Sequence, residues 1–318
     1  MIKPWRVTID TNPDQCNLNC IMCDTHSIFN TTNSISRKAM DVELLKKVID
    51  DTLQLGVKEI IPSTMGEPLM YKHFDIFIEK IQHSNSKLNL TTNGTFPIHS
   101  VEIWAKKLLP ILSDIKISIN ALDATINEKI MPNDNTICKI DDIKKFVKLR
   151  DAIKPDVSIT LQVTFLESNL DELEKLIIFA IEHKINRVKG HQLWITFQEV
   201  QSESLQRNKY SIERWNQFID KVSKYKNQIT LVNFNKIDIY NDELDAKGEC
   251  PFLGKELWVD HEGTFNICCA PSNKRITLGQ WGNIKDISII DMFNSPEYSN
   301  ILQTYKDHNV CKECSLRY

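Results

Sequence analysis

Three cysteines fall within eight residues, Cys16-Asn-Leu-Asn-Cys20-Ile-Met-Cys23, directly after a β-branched run over Arg6–Asp10. Three thiolates at this spacing suit an iron–sulfur cluster that wants four ligands, because the fourth iron then keeps an open position for a chelating molecule. A zinc knuckle is the alternative, but structural zinc usually takes four ligands from two paired units, and only His26 lies nearby. A second group, Cys250, Cys268, Cys269, Cys311 and Cys314, crowds the other end of the chain, and Cys138 stands alone between them. Nine cysteines in a chain this long are better metal ligands or catalytic groups than a disulfide framework. Their grouping predicts two metal sites.

The elements that must position the first group are legible as an alternation of short β-branched runs and longer stretches of helical period. Strands are predicted at Arg6–Asp10, Val57–Pro62, Lys87–Thr92, Ile115–Asn120, Val157–Phe165 and Arg187–Ile195. Helices are predicted at Val42–Leu55, His73–Gln82, Val101–Leu112, Asp141–Ile153, Leu170–His183 and Ile212–Lys226, with Gly56 as the C-cap of the first. Six βα units argue for a parallel sheet, either doubly wound or a partial barrel, and in both cases ligands gather at the C-terminal strand ends. Polar residues recur there: Ser63-Thr64-Met65-Gly66-Glu67-Pro68, Thr91-Thr92-Asn93-Gly94, Ser118-Ile119-Asn120, Gln162 with Thr164, and Lys189-Gly190-His191-Gln192-Leu193-Trp194. Each alone is a turn signal. Together with the cysteines at one end of a sheet they describe a polar pocket.

Composition bounds the rest. The chain has 318 residues with 39 basic and 42 acidic side chains, a balance that offers no electrostatic footprint for nucleic acid or an anionic membrane face. No apolar run reaches the roughly 18 residues of a membrane span, and the N-terminus lacks a signal peptide's apolar region, so a cytoplasmic protein is expected. At roughly 100–200 residues per domain, one large domain plus a small one fits the length.

With these residues in view the chain resembles the radical S-adenosylmethionine (SAM) superfamily over nearly its whole length. Cys16, Cys20 and Cys23 match the CxxxCxΦC signature, with Met22 where an aromatic residue is usual. Gly66-Glu67-Pro68 matches the GEP motif that binds the methionine ammonium, although Met65 stands where a glycine is common. Thr92, Asn93 and Ser118 fall where the family contacts the ribose and carboxylate of SAM, Gln162 lies on the next strand, and Asn120 sits where many relatives have Asp. The resemblance implies an α/β fold, a partial (β/α)6 TIM-like barrel over residues 1–230. It also implies a 4Fe-4S cluster that cleaves SAM to a 5′-deoxyadenosyl radical, which removes a hydrogen atom from a substrate carbon.

Residues 231–318 are similar to the SPASM domain. They contain Cys250, a strand–turn–strand around Gly263 leading to Cys268-Cys269, Gly282-Asn283, and a closing Cys311-Lys-Glu-Cys314. Because the sequence ends four residues later, the shortened "twitch" version is implied: a small cysteine-rich domain with one auxiliary 4Fe-4S cluster held by Cys250, Cys268, Cys311 and Cys314. A zinc ribbon is the alternative. Two thiols are left over, Cys138 and one of the Cys268–Cys269 pair, most simply Cys269. An epimerase needs a hydrogen-atom donor to quench its substrate radical, and a thiol can serve. A dehydrogenase instead passes an electron to the auxiliary cluster. Relatives with one auxiliary cluster act in both ways on aminoglycosides and aminocyclitols.

The first strand begins at Arg6, which leaves no room for the N-terminal peptide-binding domain many peptide-modifying relatives carry. A small carbohydrate-like substrate is therefore expected, with His191, Gln192, Trp194 and Glu199 offering hydrogen bonds and an aromatic face. Modification of a ribosomally made peptide, and a non-catalytic electron-transfer or zinc protein, are the competing hypotheses. The expected partners are the small-molecule substrate and a flavodoxin- or ferredoxin-like electron donor.

Overall fold

A computed structural model describes residues 3–31, 37–62, 65–238, 248–270, 272–312, 314 and 317, so the predicted strand-end residues Ser63 and Thr64 lie outside the described residues. The chain divides into two compact units interleaved in sequence. The first comprises Met1–Pro13, Arg37–Asn89 and Tyr240–Tyr318, and the second Asp14–Ser36 and Leu90–Ile239.

The first unit holds β1 (Arg6–Ile9), α1 (Val42–Gln54), β2 (Glu59–Pro62), α2 (Asp75–Gln82) and the start of β3 (Lys87–Thr92). Helix α1 begins where Asp41 accepts hydrogen bonds from the amides of Glu43 and Leu44, satisfying otherwise orphaned donors. It buries Leu45, Val48 and Ile49 and stops before Gly56, whose φ of 65° is the left-handed conformation glycine tolerates.

The second unit continues with α3 (Val101–Leu108), β4 (Leu112–Ser118), α4 (Ala124–Ile130), α5 (Thr136–Ile153), β5 (Ser158–Phe165), α6 (Leu173–Glu182), β6 (Arg187–Gln192), α7 (Lys209–Val222) and β7 (Thr230–Val232). The C-terminal segment returns to the first unit with β8 (Glu256–Val259), β9 (Phe265–Asn266), α8 (Ser272–Arg275), α9 (Ile289–Phe293), α10 (Pro296–Thr304) and α11 (Asn309–Lys312).

Strands of the first unit run in the order β3-β2-β1-β8-β9, parallel except for the β8–β9 hairpin. Those of the second run β4-β5-β6-β7, all parallel. Neither set closes into a ring. The fold is the expected α/β class with an open parallel sheet of partial-barrel type.

Pairing of β8 with β1 is a finding the sequence did not offer, and it is held by charge as well as by the ladder. Glu256, 6% exposed, accepts from Thr8 Oγ1 at 3.0 Å and lies 3.5 Å from Arg6, which also pairs with Glu59 at 2.6 Å.

Candidate functional site

The Cys16–Cys23 loop folds onto an apolar cluster of the second unit. Leu18 is buried with Ile130, Met131, Leu166, Leu193 and Val200, and Ile21 and Met22 pack against the same group. Backbone bonds fix the loop's course: the Asn19 amide donates to Pro132 O at 3.2 Å, and the Ile21 amide to Ile130 O at 3.0 Å. Donors are already aimed at sulfur, with the His26 amide 3.2 Å from Cys23 Sγ and Asn93 Nδ2 3.8 Å from Cys16 Sγ. Burial, and then the nearby Cys23 and Cys16, push the Cys20 thiol up to about 12; burial likewise raises Cys23. Three mutually repelling, half-buried thiols become favourable as thiolates once metal charge neutralises them.

The strand ends contribute as follows. Asn93 is tied to Asn17 Oδ1 at 2.8 Å, so it links the end of β3 to the cysteine loop. Thr92 Oγ1 accepts from the Gly94 amide at 3.2 Å. Ser118 on β4 registers with Gln162 on β5, which registers with Lys189 on β6; one step further on, Thr164 registers with His191. The opposite face of these strands, with Ile117, Leu161, Val163 and Val188, is the buried apolar one. Burial, followed by the charge of Lys189, pushes His191 down to about 4, so it stays neutral. Gln192 Oε1 is buried without a hydrogen-bond partner, and Trp194 is 53% exposed. Asn120 is 2% exposed, and its Oδ1 accepts from the Thr164 amide at 2.9 Å, which bridges the ends of β4 and β5.

Sequence reasoning missed one group in this unit. Lys139 on α5 is buried with its Nζ 2.6 Å from Asp134 Oδ2, and the two side chains are 1% and 0% exposed. Asp134 Oδ2 also accepts from Asn127 Nδ2 at 2.7 Å, while its Oδ1 is buried without a partner. The ammonium bears on Cys20, favouring its thiolate, while the Asp134 carboxylate opposes it. A signal was present: Lys139, Ile143, Phe146, Val147 and Arg150 lie on one helical stripe, with charged residues at core positions. Cys138, the next residue back, is exposed, and its amide donates to the Asn135 N-cap.

In the first unit, Glu67 is 2% exposed and caps a short 3-10 turn over Pro68–Met70. Its Oε1 accepts from the Leu69 amide at 3.2 Å, and its carbonyl accepts from Asn12 Nδ2 at 2.8 Å. The same unit gathers the C-terminal cysteines. Burial and then the charges of Cys268, Cys250 and Cys314 raise Cys311 to about 11. Cys268 is lowered to about 6, first by a hydrogen bond from Cys269, and it also accepts from the Ala270 amide at 3.4 Å. Cys269 is raised by that same bond, by burial and by the nearby Cys314 and Cys250. The Leu253 amide lies 3.3 Å from Cys250 Sγ.

Both sets thus bring thiols into mutual electrostatic range with amides directed at sulfur, the donor chemistry an iron–sulfur cluster uses. Among the described residues no three His, Cys, Asp or Glu side chains close on a single ion. Neither set is drawn in to the span of one zinc, which a four-iron cluster, with each thiolate on its own iron, does not require.

Residues 13–180 match the Radical SAM superfamily, and residues 250–315 match SPASM, an iron-sulfur cluster-binding domain. The chain is 21% identical over 160 residues to the S-adenosylmethionine-dependent nucleotide dehydratase of Selenomonas ruminantium, covering 50% of this chain and 56% of that protein. It is 30% identical over 176 residues to the GTP 3',8-cyclase of Helicobacter pylori, covering 54% and 50%. It therefore spans about half the length of the curated relatives it matches. Streptococcus suis SuiB bound to S-adenosylmethionine shares the fold at a TM-score of 0.70 and 17% identity, over 99% of this chain and 71% of that one. BtrN in complex with AdoMet and 2-DOIA shares it at 0.50 and 14%, over 99% and 94%. Among the described residues no helix is long and apolar enough to cross a membrane. Since the first family match takes in more than half of the sequence, the chain belongs to the radical SAM superfamily of 4Fe-4S, SAM-using enzymes, with a SPASM-type iron–sulfur segment at its C-terminus.

Proposed function

We propose that the chain is a radical SAM epimerase or dehydrogenase acting on a carbohydrate-like small molecule: an aminoglycoside, an aminocyclitol or a sugar. Residues 1–230 form its catalytic core and 231–318 its auxiliary cluster domain. When bound, the cluster and SAM supply a 5′-deoxyadenosyl radical that abstracts a hydrogen atom from carbon. Cys16, Cys20 and Cys23 hold that cluster, and Cys250, Cys268, Cys311 and Cys314 hold the auxiliary one. Gly66, Glu67, Pro68, Thr92, Asn93, Ser118, Asn120 and Gln162 bind SAM, with Asn120 acting through the strand ends it bridges.

The observation that carries the substrate class is the polar face of β4–β6. Ser118, Gln162 and Lys189 share one register step, Thr164 and a neutral His191 share the next, and an exposed Trp194 follows. A ring bearing hydroxyl or amino groups suits these polar side chains and offers an apolar face to the indole. Epimerisation further requires an S–H donor. Cys138, exposed on α5, and Cys269, among the auxiliary thiols, are the two cysteines left after ligation. In the cytoplasm, a flavodoxin- or ferredoxin-like protein supplies the electron.

The test is anaerobic reconstitution of wild type and a Cys16/Cys20/Cys23→Ala variant, each incubated with SAM and dithionite. About eight irons in wild type against about four in the variant are expected, with 5′-deoxyadenosine formed by wild type alone. Deuterium from solvent entering an aminocyclitol or sugar supports epimerisation. Zinc in place of iron sinks the ligand assignment, and label entering only a precursor peptide sinks the substrate class.

A further inference from the structure

Arg317, three residues beyond Cys314, is 3% exposed. Its Nε donates to the Gly248 carbonyl at 2.8 Å and its Nη1 to the Cys311 carbonyl at 2.6 Å, and its guanidinium carbon sits 5.3 Å from the centroid of the Tyr305 ring. The backbone closes the same link, with the Gly248 amide donating to Arg317 O at 2.7 Å and the Arg317 amide to Cys314 O at 3.1 Å. Any Cβ on residue 248 would stand 2.1 Å from that Arg317 oxygen, so only glycine permits the approach. Tyr305 extends the link: its hydroxyl accepts from the Cys250 amide at 3.2 Å and donates to Glu249 at 2.6 Å. The Arg317 side chain thereby ties together the segments carrying Cys250 and Cys311, and its backbone amide adds Cys314.

The guanidinium gives two of its five N–H donors to these carbonyls, and neither bond meets its charge. Its partners are two neutral carbonyls and a ring, and among the described residues no carboxylate pairs with it. Glu249 feels the Arg317 charge, but its carboxylate is exposed and is engaged by Tyr305 and by Lys306. A buried cation without a counter-ion is costly, and desolvated charges persist when an anion sits beside them. An iron–sulfur cluster held by four thiolates is such an anion, and reduction adds one more negative charge.

We infer that Arg317 is the counter-cation of the auxiliary cluster, raising its reduction potential while holding the Cys250 and Cys311 segments in place. The inference rests on the ligation proposed above. A fixed positive charge beside the sulfurs favours the form carrying the extra electron, and net charge is one of the levers that set such potentials. The auxiliary cluster is thereby made a better acceptor for an electron leaving the substrate.

The test uses the full-length Cys16/Cys20/Cys23→Ala chain, in which only the auxiliary cluster remains, titrated with dithionite and followed by EPR. Arg317→Lys, which keeps the charge, should retain about four irons and the parent's potential. Arg317→Gln should shift the ratio of reduced to oxidised cluster about tenfold toward oxidised at a fixed poise, about 59 mV for a one-electron couple. Loss of iron from Arg317→Gln that Arg317→Lys restores supports the same inference. An unchanged potential in an iron-loaded Arg317→Gln overturns it, as do equal changes in both variants. A parent chain that binds no iron overturns the ligand assignment itself, an outcome read before either Arg317 variant is made.

Discussion

Replacing Lys139 with methionine removes the cation from the buried pair with Asp134 while nearly preserving side-chain volume. Both side chains are essentially inaccessible, so water cannot take over from the lost ammonium. Breaking a buried pair by removing one member typically costs about 3–5 kcal/mol. The stranded carboxylate keeps Asn127 Nδ2 at 2.7 Å, but Oδ1 has no partner. Its escape is to take up a proton, and from an ordinary carboxyl pKa near 3.9 that costs about 4 kcal/mol at pH 7. Protonation therefore caps the penalty, and a loss of about 3–4 kcal/mol is expected at pH 7.

Urea unfolding of the apo chain measures this loss. Each unit of pH below 7 lowers the cost of protonation by about 1.4 kcal/mol, so the penalty should shrink to roughly 1–2 kcal/mol at pH 5. Adding Asp134→Asn to Lys139→Met should recover at least half of it at pH 7, because the amide leaves no buried charge. The ammonium also favours the Cys20 thiolate, so Lys139→Met should take up iron more slowly than wild type. A penalty below about 1 kcal/mol at pH 7, or a double variant no better than the single one, would refute the argument that the pair is held by its charges.

Three further outcomes follow from particular contacts. Gly94 has φ 80°, and a Cβ there would meet Ile117 Cγ2 at 2.6 Å, so Gly94→Ala should cost about 2–4 kcal/mol through strain and overpacking together, measured by urea unfolding. His191 titrates near 4 when folded against 6.5 when unfolded, so the unfolded chain binds the extra proton between those values. The stability His191 contributes is full above about pH 6.5 and is lost as pH falls toward 4, about 3 kcal/mol in all; His191→Gln should flatten that limb of a stability–pH profile. If Cys269, set among the auxiliary thiols, is the hydrogen-atom donor, Cys269→Ser should still form 5′-deoxyadenosine but lose solvent deuterium from the product, whereas Cys138→Ser should keep both.

The elements that positioned the cysteines were legible because their period was carried by apolar residues. The predicted Lys87–Thr92 strand is β3 as observed, and α1 and β5 differ from expectation by a residue at one end. Failures fall where polar residues do the work of apolar ones. Helix α5 begins at Thr136 rather than Asp141, since its first turns are ordered by the Asn135 cap and the buried Lys139, neither of which adds to a hydrophobic pattern. The short α4, capped by Asp123, was missed for the same reason. In β4 the start moved back to Leu112, because Asp114 is buried by its bonds to Thr160 and Arg187 and so reads as exposed in sequence alone.

The same physics separates what was visible at the candidate site from what was not. Cysteine spacing is local and survives in the sequence, so both thiol groups could be read directly. Charge compensation is tertiary: Lys139 meets Asp134 five residues back, and Arg317 reaches Gly248 across 69 positions, so neither role has a motif. Yet each buried cation stands beside thiols that burial holds in the protonated form, Cys20 in one unit and Cys311 in the other. The two thiol sets proposed to bind clusters, built from unrelated segments, thus share one feature, a buried cation that opposes the desolvation of the sulfurs. That parallel yields a joint expectation. Lys139→Met should slow iron uptake at the Cys16–Cys23 loop and leave the C-terminal set unaffected, and Arg317→Gln should do the reverse, because each cation bears on thiols of its own unit. Iron counts in the two single variants that fell together would show that the clusters load as one event, and the parallel would then lose its electrostatic basis.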